Sequence, residues 1–97
     1  MELRKLELAR AVAGSPRLLI SDEAMAGLSG REIDEVLDLL LRLNARGIAV
    51  IMIEHMMRAI MRFSQRVVCL DLGRIIAEGT PREVVADPEV RRAYLGA

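Results

Sequence analysis

The sequence predicts an α/β fold: a parallel pair of strands joined by a crossover helix, then a β-hairpin and short helices. Three observations carry that expectation. Two short, continuously apolar runs, "RLLIS" and "IAVIMI", flank one strongly periodic segment, "REIDEVLDLLLRLNAR". Strand, helix, strand in that order implies a right-handed crossover and parallel pairing. Two further strand-like runs, "RVVCLD" and "RIIAEG", are joined tightly around Gly73, as in a hairpin. At 97 residues the chain makes at most one small domain, near the lower limit for burying a useful core unaided.

The opening "ELRKLELARAVA" reads as a helix with Leu3, Leu6 and later alanines on one face, stopped by Gly14 and Pro16. "RLLIS" follows as a short strand, apolar at successive positions, the pattern expected when both faces are covered. In the next helix Ile33, Val36, Leu37, Leu40 and Leu43 form one stripe, while Glu32, Asp34, Glu35, Asp38 and Arg42 face water. Ser29 with Glu32 three residues on makes a capping box at its start, and Gly47 supplies a left-handed stop. The strand "IAVIMI" ends in Glu54-His55 and leads into a helix, "MMRAIMRFS". After the hairpin, Thr80-Pro81-x-Glu83 and Asp87-Pro88 each open a short helix with Pro at its first position. The methionines of residues 52–61 suit core filling better than a soft-metal site, and Arg91 and Arg92 suit a solvated helix face.

Composition narrows the function. The chain is 53% hydrophobic, which fits a packed globular chain, but Phe63 and Tyr94 are the only aromatics. Stacking platforms for single-stranded nucleic acid are therefore absent. Thirteen arginines and Lys5 are spread among as many acids, for zero net charge, so no basic patch calls for DNA, RNA or an anionic membrane. The apolar runs at residues 48–53 and 39–41 are far shorter than the about 20 residues of a membrane span. The charged opening "MELRKLELAR" does not look like a signal peptide. Cys69, alone in an apolar run, reads as a buried thiol. A cytosolic chain is the expectation.

The parallel pair has a consequence for chemistry. It places Asp22-Glu23 and His55, the sole histidine, at the carboxyl ends of neighbouring strands, where open α/β sheets bind ligands. Neighbouring strands lie about 5 Å apart, so the acids and the imidazole converge. Such a cluster suits Mg²⁺-assisted phosphoryl transfer, one acid on the metal's water shell and the other orienting an attacking water. A Zn or Mn hydrolase site is a second option, although the H-E-x-x-H and Cys/His spacings are missing. Solvated turn acids beside a helix-start histidine, with no chemistry, are a third.

"LELARAVAGSPRLLISDEAMAGLS" followed by "GIAVIMIEHMM" closely resembles the second half of the nucleotide-binding subunit of ABC transporters, over essentially the whole chain. The resemblance implies a partial P-loop NTPase (RecA-like) sheet spanning residues 1–97 as the carboxyl-terminal part of one nucleotide-binding domain. It implies ATP and Mg²⁺ as ligands. Asp22, in the Walker B position, would hold Mg²⁺ through water, and Glu23 would polarise the water that attacks the γ-phosphate. His55 would be the switch histidine that contacts that phosphate. Ala26, Gly27, Leu28 and Ser29 would form the D-loop, touching a second ATP-binding subunit across a nucleotide-sandwich dimer. Four positions depart from the family pattern. Ser21 replaces an aliphatic residue before the Asp, and Ala24 replaces Pro after the Glu. Ser29 replaces the Asp or Asn of the D-loop, and Met56 the Asp after the histidine. None of these removes a catalytic group.

The tail "AEGTPREVVADPEVRRAYLG" looks most like the ATPases of branched-chain amino-acid importers, with a similar ending in the lipopolysaccharide-export ATPase. The resemblance therefore implies an energy-supplying transporter subunit, held at the inner face of the cell membrane by membrane subunits, without nucleic acid. A phosphate-binding G-x-x-x-x-G-K-[ST] loop is missing: Lys5 has no glycine before it, and no two glycines stand five apart. The expectation is a carboxyl-terminal fragment that hydrolyses ATP only with an upstream half. In the family's sheet the phosphate-loop strand lies between the switch-histidine strand and the strand of residues 66–71. The chain is thus expected to expose unpaired strand edges and apolar faces and to be marginally stable. The rival expectation is a non-catalytic module that docks on intact ATPase subunits.

Overall fold

The computed structural model describes residues 2–95, and the side chains of all of these except Glu2, Arg4 and Leu95. It divides between Ala59 and Ile60 into two units. The first holds helix α1 (Glu2–Val12), strand β1 (Leu18–Asp22), helix α2 (Gly30–Ala45), strand β2 (Ala49–Ile53) and the start of helix α3 (Met57–Phe63). Strands β1 and β2 pair in parallel, Leu18 opposite Ala49 through Asp22 opposite Ile53.

Helix α2 organises this unit. Its apolar stripe repeats every three to four residues, and Ile33, Val36, Leu37, Leu40 and Leu43 are all buried. Ser29 caps its start: the Ser29 hydroxyl accepts the Glu32 N–H at 3.2 Å, and the Glu32 carboxylate accepts the Ser29 N–H at 3.1 Å. Hydrogen bonding to the Glu32 carboxylate, from the Ser29 N–H first and the Ser29 side chain second, holds that carboxyl below its usual value. At the other end Gly47 takes a φ of +97°, where a side chain would be strained. In α1 the expected Leu3 and Leu6 face is exposed; Leu8 and Val12 instead line a groove with Leu39 and Leu43.

The exposed apolar face expected for part of a larger sheet is present in the parallel pair. Leu19 and Ser21 of β1 are buried, with Val50 and Met52 beside them in register and half-buried. The alternate row, Leu18 and Ile20 beside Ala49 and Ile51, is exposed, with Ile20 at 58%. The residues are apolar on both faces, but α2 lays down one layer, so one face is bare.

The second unit holds the rest of α3, strands β3 (Val67–Asp71) and β4 (Arg74–Gly79), helices α4 (Pro81–Ala86) and α5 (Pro88–Val90), and a π-helical turn, Arg91–Leu95. Strands β3 and β4 form the expected antiparallel hairpin, with a register shift between Cys69 and Leu70. Leu72 and Gly73 join them with φ of +50° and +78°, the positive pair that a two-residue type I′ hairpin turn requires. Cys69, Val84 and Val90 form its small core. Burial pushes the Cys69 thiol up from its ordinary value, against a hydrogen bond with Tyr94 that lowers it, so the thiol stays protonated. The Tyr94 hydroxyl donates to the Leu70 carbonyl. Thr80 and Glu83 repeat the capping box at α4, and Asp87 caps α5 through the N–H groups of Glu89 and Val90. Among the described residues the strands make two separate two-stranded sheets.

Candidate active site at the strand ends

Parallel pairing sets the ends of β1 and β2 side by side. The ladder continues one residue past β1, where the Glu23 N–H donates to the Ile53 carbonyl at 2.9 Å. Glu23 then takes a φ of +49°, a left-handed conformation that costs a non-glycine residue on the order of 1 kcal/mol. Strained backbone of this kind gathers where a side chain must be aimed. Here Glu23 Oε1 lies 3.4 Å from Nδ1 of His55, and both side chains are more than half exposed.

Asp22 ends β1 opposite Ile53 and is exposed, in the same row as Leu18 and Ile20. His55 follows two residues after Ile53, the last exposed position of β2, and is itself exposed. The structure thus brings Glu23 and His55 into contact and leaves Asp22 beside them with its side chain accessible. No cluster of three or more His, Cys, Asp or Glu side chains suited to a metal occurs among the described residues. Mg²⁺ needs no such cage; it is held through one or two carboxylates, water and substrate phosphates. The accessible Asp22 carboxylate, a hard oxygen donor, fits that mode.

Ala26, Gly27, Leu28 and Ser29 form the connection to α2. It is folded by two turns, the Ala26 N–H donating to the Glu23 carbonyl and the Leu28 N–H to the Met25 carbonyl, each at 3.2 Å. Met25 is fully buried and pins the loop, while Ala26, Gly27 and Ser29 stay exposed. Gly27 has a φ of +75°. The Ser29 hydroxyl at this position is the α2 cap.

Sequence reasoning left Glu54 without a role. Its side chain is 1% exposed, its Oε1 accepts the His55 backbone N–H at 3.1 Å, and the same oxygen lies 3.5 Å from His55 Nδ1. The buried Glu54 Oε2 and Ser21 Oγ have no hydrogen-bond partner. The signal was strand alternation, because Glu54 stands two residues beyond Met52 on the row that also holds Val50.

A family model described as "Branched-chain amino acid ATP-binding cassette transporter" matches residues 74–97. The chain is 40% identical over 95 residues to the lipopolysaccharide export system ATP-binding protein LptB of Acidithiobacillus ferridurans, covering 98% of this chain and 39% of LptB. It is 38% identical over 94 residues to the high-affinity branched-chain amino acid transport ATP-binding protein BraF of Pseudomonas aeruginosa, covering 96% and 37%. Among solved structures, the ADP conformation of MJ1267, an ATP-binding cassette of an ABC transporter, matches with a TM-score of 0.89 at 28% identity, over 99% of this chain and 39% of that one. The chain thus spans about two fifths of the length of the relatives it matches.

Proposed function

Because the chain belongs to the family of ABC transporter ATP-binding subunits, we propose that Asp22, Glu23 and His55 form the γ-phosphate end of an ATP-hydrolysing site. The observation that carries this is the 3.4 Å approach of Glu23 to His55 at the ends of the parallel strands. Glu23 accepts a hydrogen bond from the attacking water and orients it, a task that suits an exposed carboxylate. His55 presents its ring to the phosphate oxygens. Asp22 would hold Mg²⁺ through water, and the cation, when bound, supplies charge neutralisation at the phosphates. Exposed Ala26, Gly27 and Ser29 present this loop to a second ATP-binding subunit.

The phosphate grip comes from polypeptide carrying a glycine-rich loop, which residues 1–97 do not contain. The subunit works at the inner face of the cell membrane, docked on transporter membrane subunits; no helix among the described residues is long and apolar enough to cross a membrane. The match over residues 74–97 supports branched-chain amino-acid import as the transport it powers. The similarity to LptB favours lipopolysaccharide export as the second reading.

The test joins this chain to an upstream segment carrying a phosphate-binding loop and measures ATP hydrolysis. Mg²⁺-dependent turnover that Glu23→Gln abolishes is the expected result. Full turnover in the Gln variant refutes the role given to Glu23. Co-purification with amino-acid-importer rather than lipopolysaccharide-export membrane subunits decides between the two transport readings.

A further inference from the structure

Glu54 poses a physical problem. A buried carboxylate with one oxygen unpartnered carries a desolvation cost that an apolar side chain of similar size would not. Its other oxygen makes two approaches, both to His55: 3.1 Å to the backbone N–H and 3.5 Å to Nδ1. The ring therefore turns Nδ1 toward two carboxylate oxygens, those of Glu54 and Glu23. A lone pair on Nδ1 would face negative charge from both, whereas an N–H there is attracted by both.

The two acids differ in how firmly they are held. Glu23 is 57% exposed and free to turn toward water, while Glu54 is fixed by burial and by its bond to the next residue's backbone. We propose that Glu54 is a positioning residue that holds His55 with its proton on Nδ1 and its Nε2 turned outward, leaving Glu23 free to orient water. This deepens the proposed role of His55 and rests on it for its meaning in catalysis. The tautomer itself does not depend on ATP.

His55 is the only histidine, so ring ¹⁵N spectra of the ¹⁵N-labelled chain above the ring's titration range report its tautomer without assignment. The unsubstituted chain is expected to show mainly the Nδ1–H form. In Glu54→Met the ratio of Nδ1–H to Nε2–H should fall about fivefold, the bias one hydrogen bond of ordinary net strength supports. Thermal stability should hold or rise, because a buried carboxyl group with one oxygen unpartnered has been replaced by an apolar group. Glu54→Gln, which restores an acceptor oxygen, should recover part of the ratio. A residue with a purely structural role would lose stability and leave the tautomer alone. The proposal is overturned if the unsubstituted chain is mainly Nε2–H, or if Glu54→Met leaves the ratio unchanged. Should Glu54→Met fail to fold, Glu54→Ala is read in the same way. Loss of hydrolysis in Glu23→Gln bears on the proposed reaction and not on this result.

Discussion

Arg58, in the first turn of α3, grips both carboxylate oxygens of Asp34 on α2, at 3.0 and 3.2 Å. The clamp fixes the segment just after His55 to the helix that begins just after the Ala26 to Ser29 connection. Its guanidinium also lies against Gly30, where an added Cβ would stand 3.0 Å from Arg58 Nη1. Both bonds come from one nitrogen, Nη2, so the contact is bifurcated and lacks the paired fork of a bidentate one, and both side chains are partly solvated. Arg58→Ala is expected to cost about 0.5–1 kcal/mol. Chemical denaturation at low and at about 1 M salt, where the Debye length falls to about 3 Å, checks this; the loss should shrink at high salt.

The hairpin offers a stabilising change. Leu72 has a φ of +50° and is 96% exposed, so it bears left-handed strain with no packing to offset it. Asn followed by Gly is the preferred pair for a turn with two positive φ values. Leu72→Asn should raise the stability of the β3–β4 unit by about 1 kcal/mol. A rise in unfolding midpoint with unchanged denaturant slope is the expected reading; a fall would mean that Leu72 packs in a way its exposure does not indicate.

What could be read from the sequence was what local rules determine. The α2 stripe and both capping boxes follow from spacing within a few residues, and all are present. The meeting of Glu23 and His55 followed from topology, since one crossover helix brings the two strand ends together. Three features depended on more than that. The runs "LLI" and "VIMI" look the same whether or not a second layer covers them, so the bare face of Ile20 and Ile51 was expected only from the likeness to a larger sheet and not from the strands themselves. Leu72 gave no signal because leucine rarely takes a positive φ. Glu54 was missed because it stands just beyond the strand end, where alternation points inward only if the chain stays extended.

Acid should act on the helix starts. The Ser29 and Thr80 N–H groups, with their hydroxyls second, hold the Glu32 and Glu83 carboxyls below their ordinary value. A lowered folded-state value means stability that is fully present above the ordinary glutamate value, about 4.3, and is lost as pH falls through the lowered one. Both caps should therefore weaken below about pH 4. Glu32→Gln with Glu83→Gln keeps the neutral hydrogen bonds and removes the titration. Urea midpoints measured between pH 5 and 3 should fall less steeply in this double variant than in the unsubstituted chain; parallel curves would place the acid sensitivity elsewhere.

The open face of the parallel pair sets the last expectation. Ile20 and Ile51 sit opposite each other in register, both at least half exposed. Among the described residues each of the two strands also keeps one unpaired edge, because their sheet has two strands. A bare apolar face beside an unpaired edge is the usual template for strand-to-strand association. Replacing both residues by Thr keeps β-branching and removes much of the apolar surface. Light scattering of Ile20→Thr with Ile51→Thr should show less self-association, with stability changed by no more than about 0.5 kcal/mol per site, as for other exposed positions. In an assembly where further polypeptide covers this face, the same pair should instead cost about 1–3 kcal/mol per site, because each hydroxyl would then be buried without a partner. Equal stability losses in both settings would mean that β1 and β2 already bury these side chains within this chain.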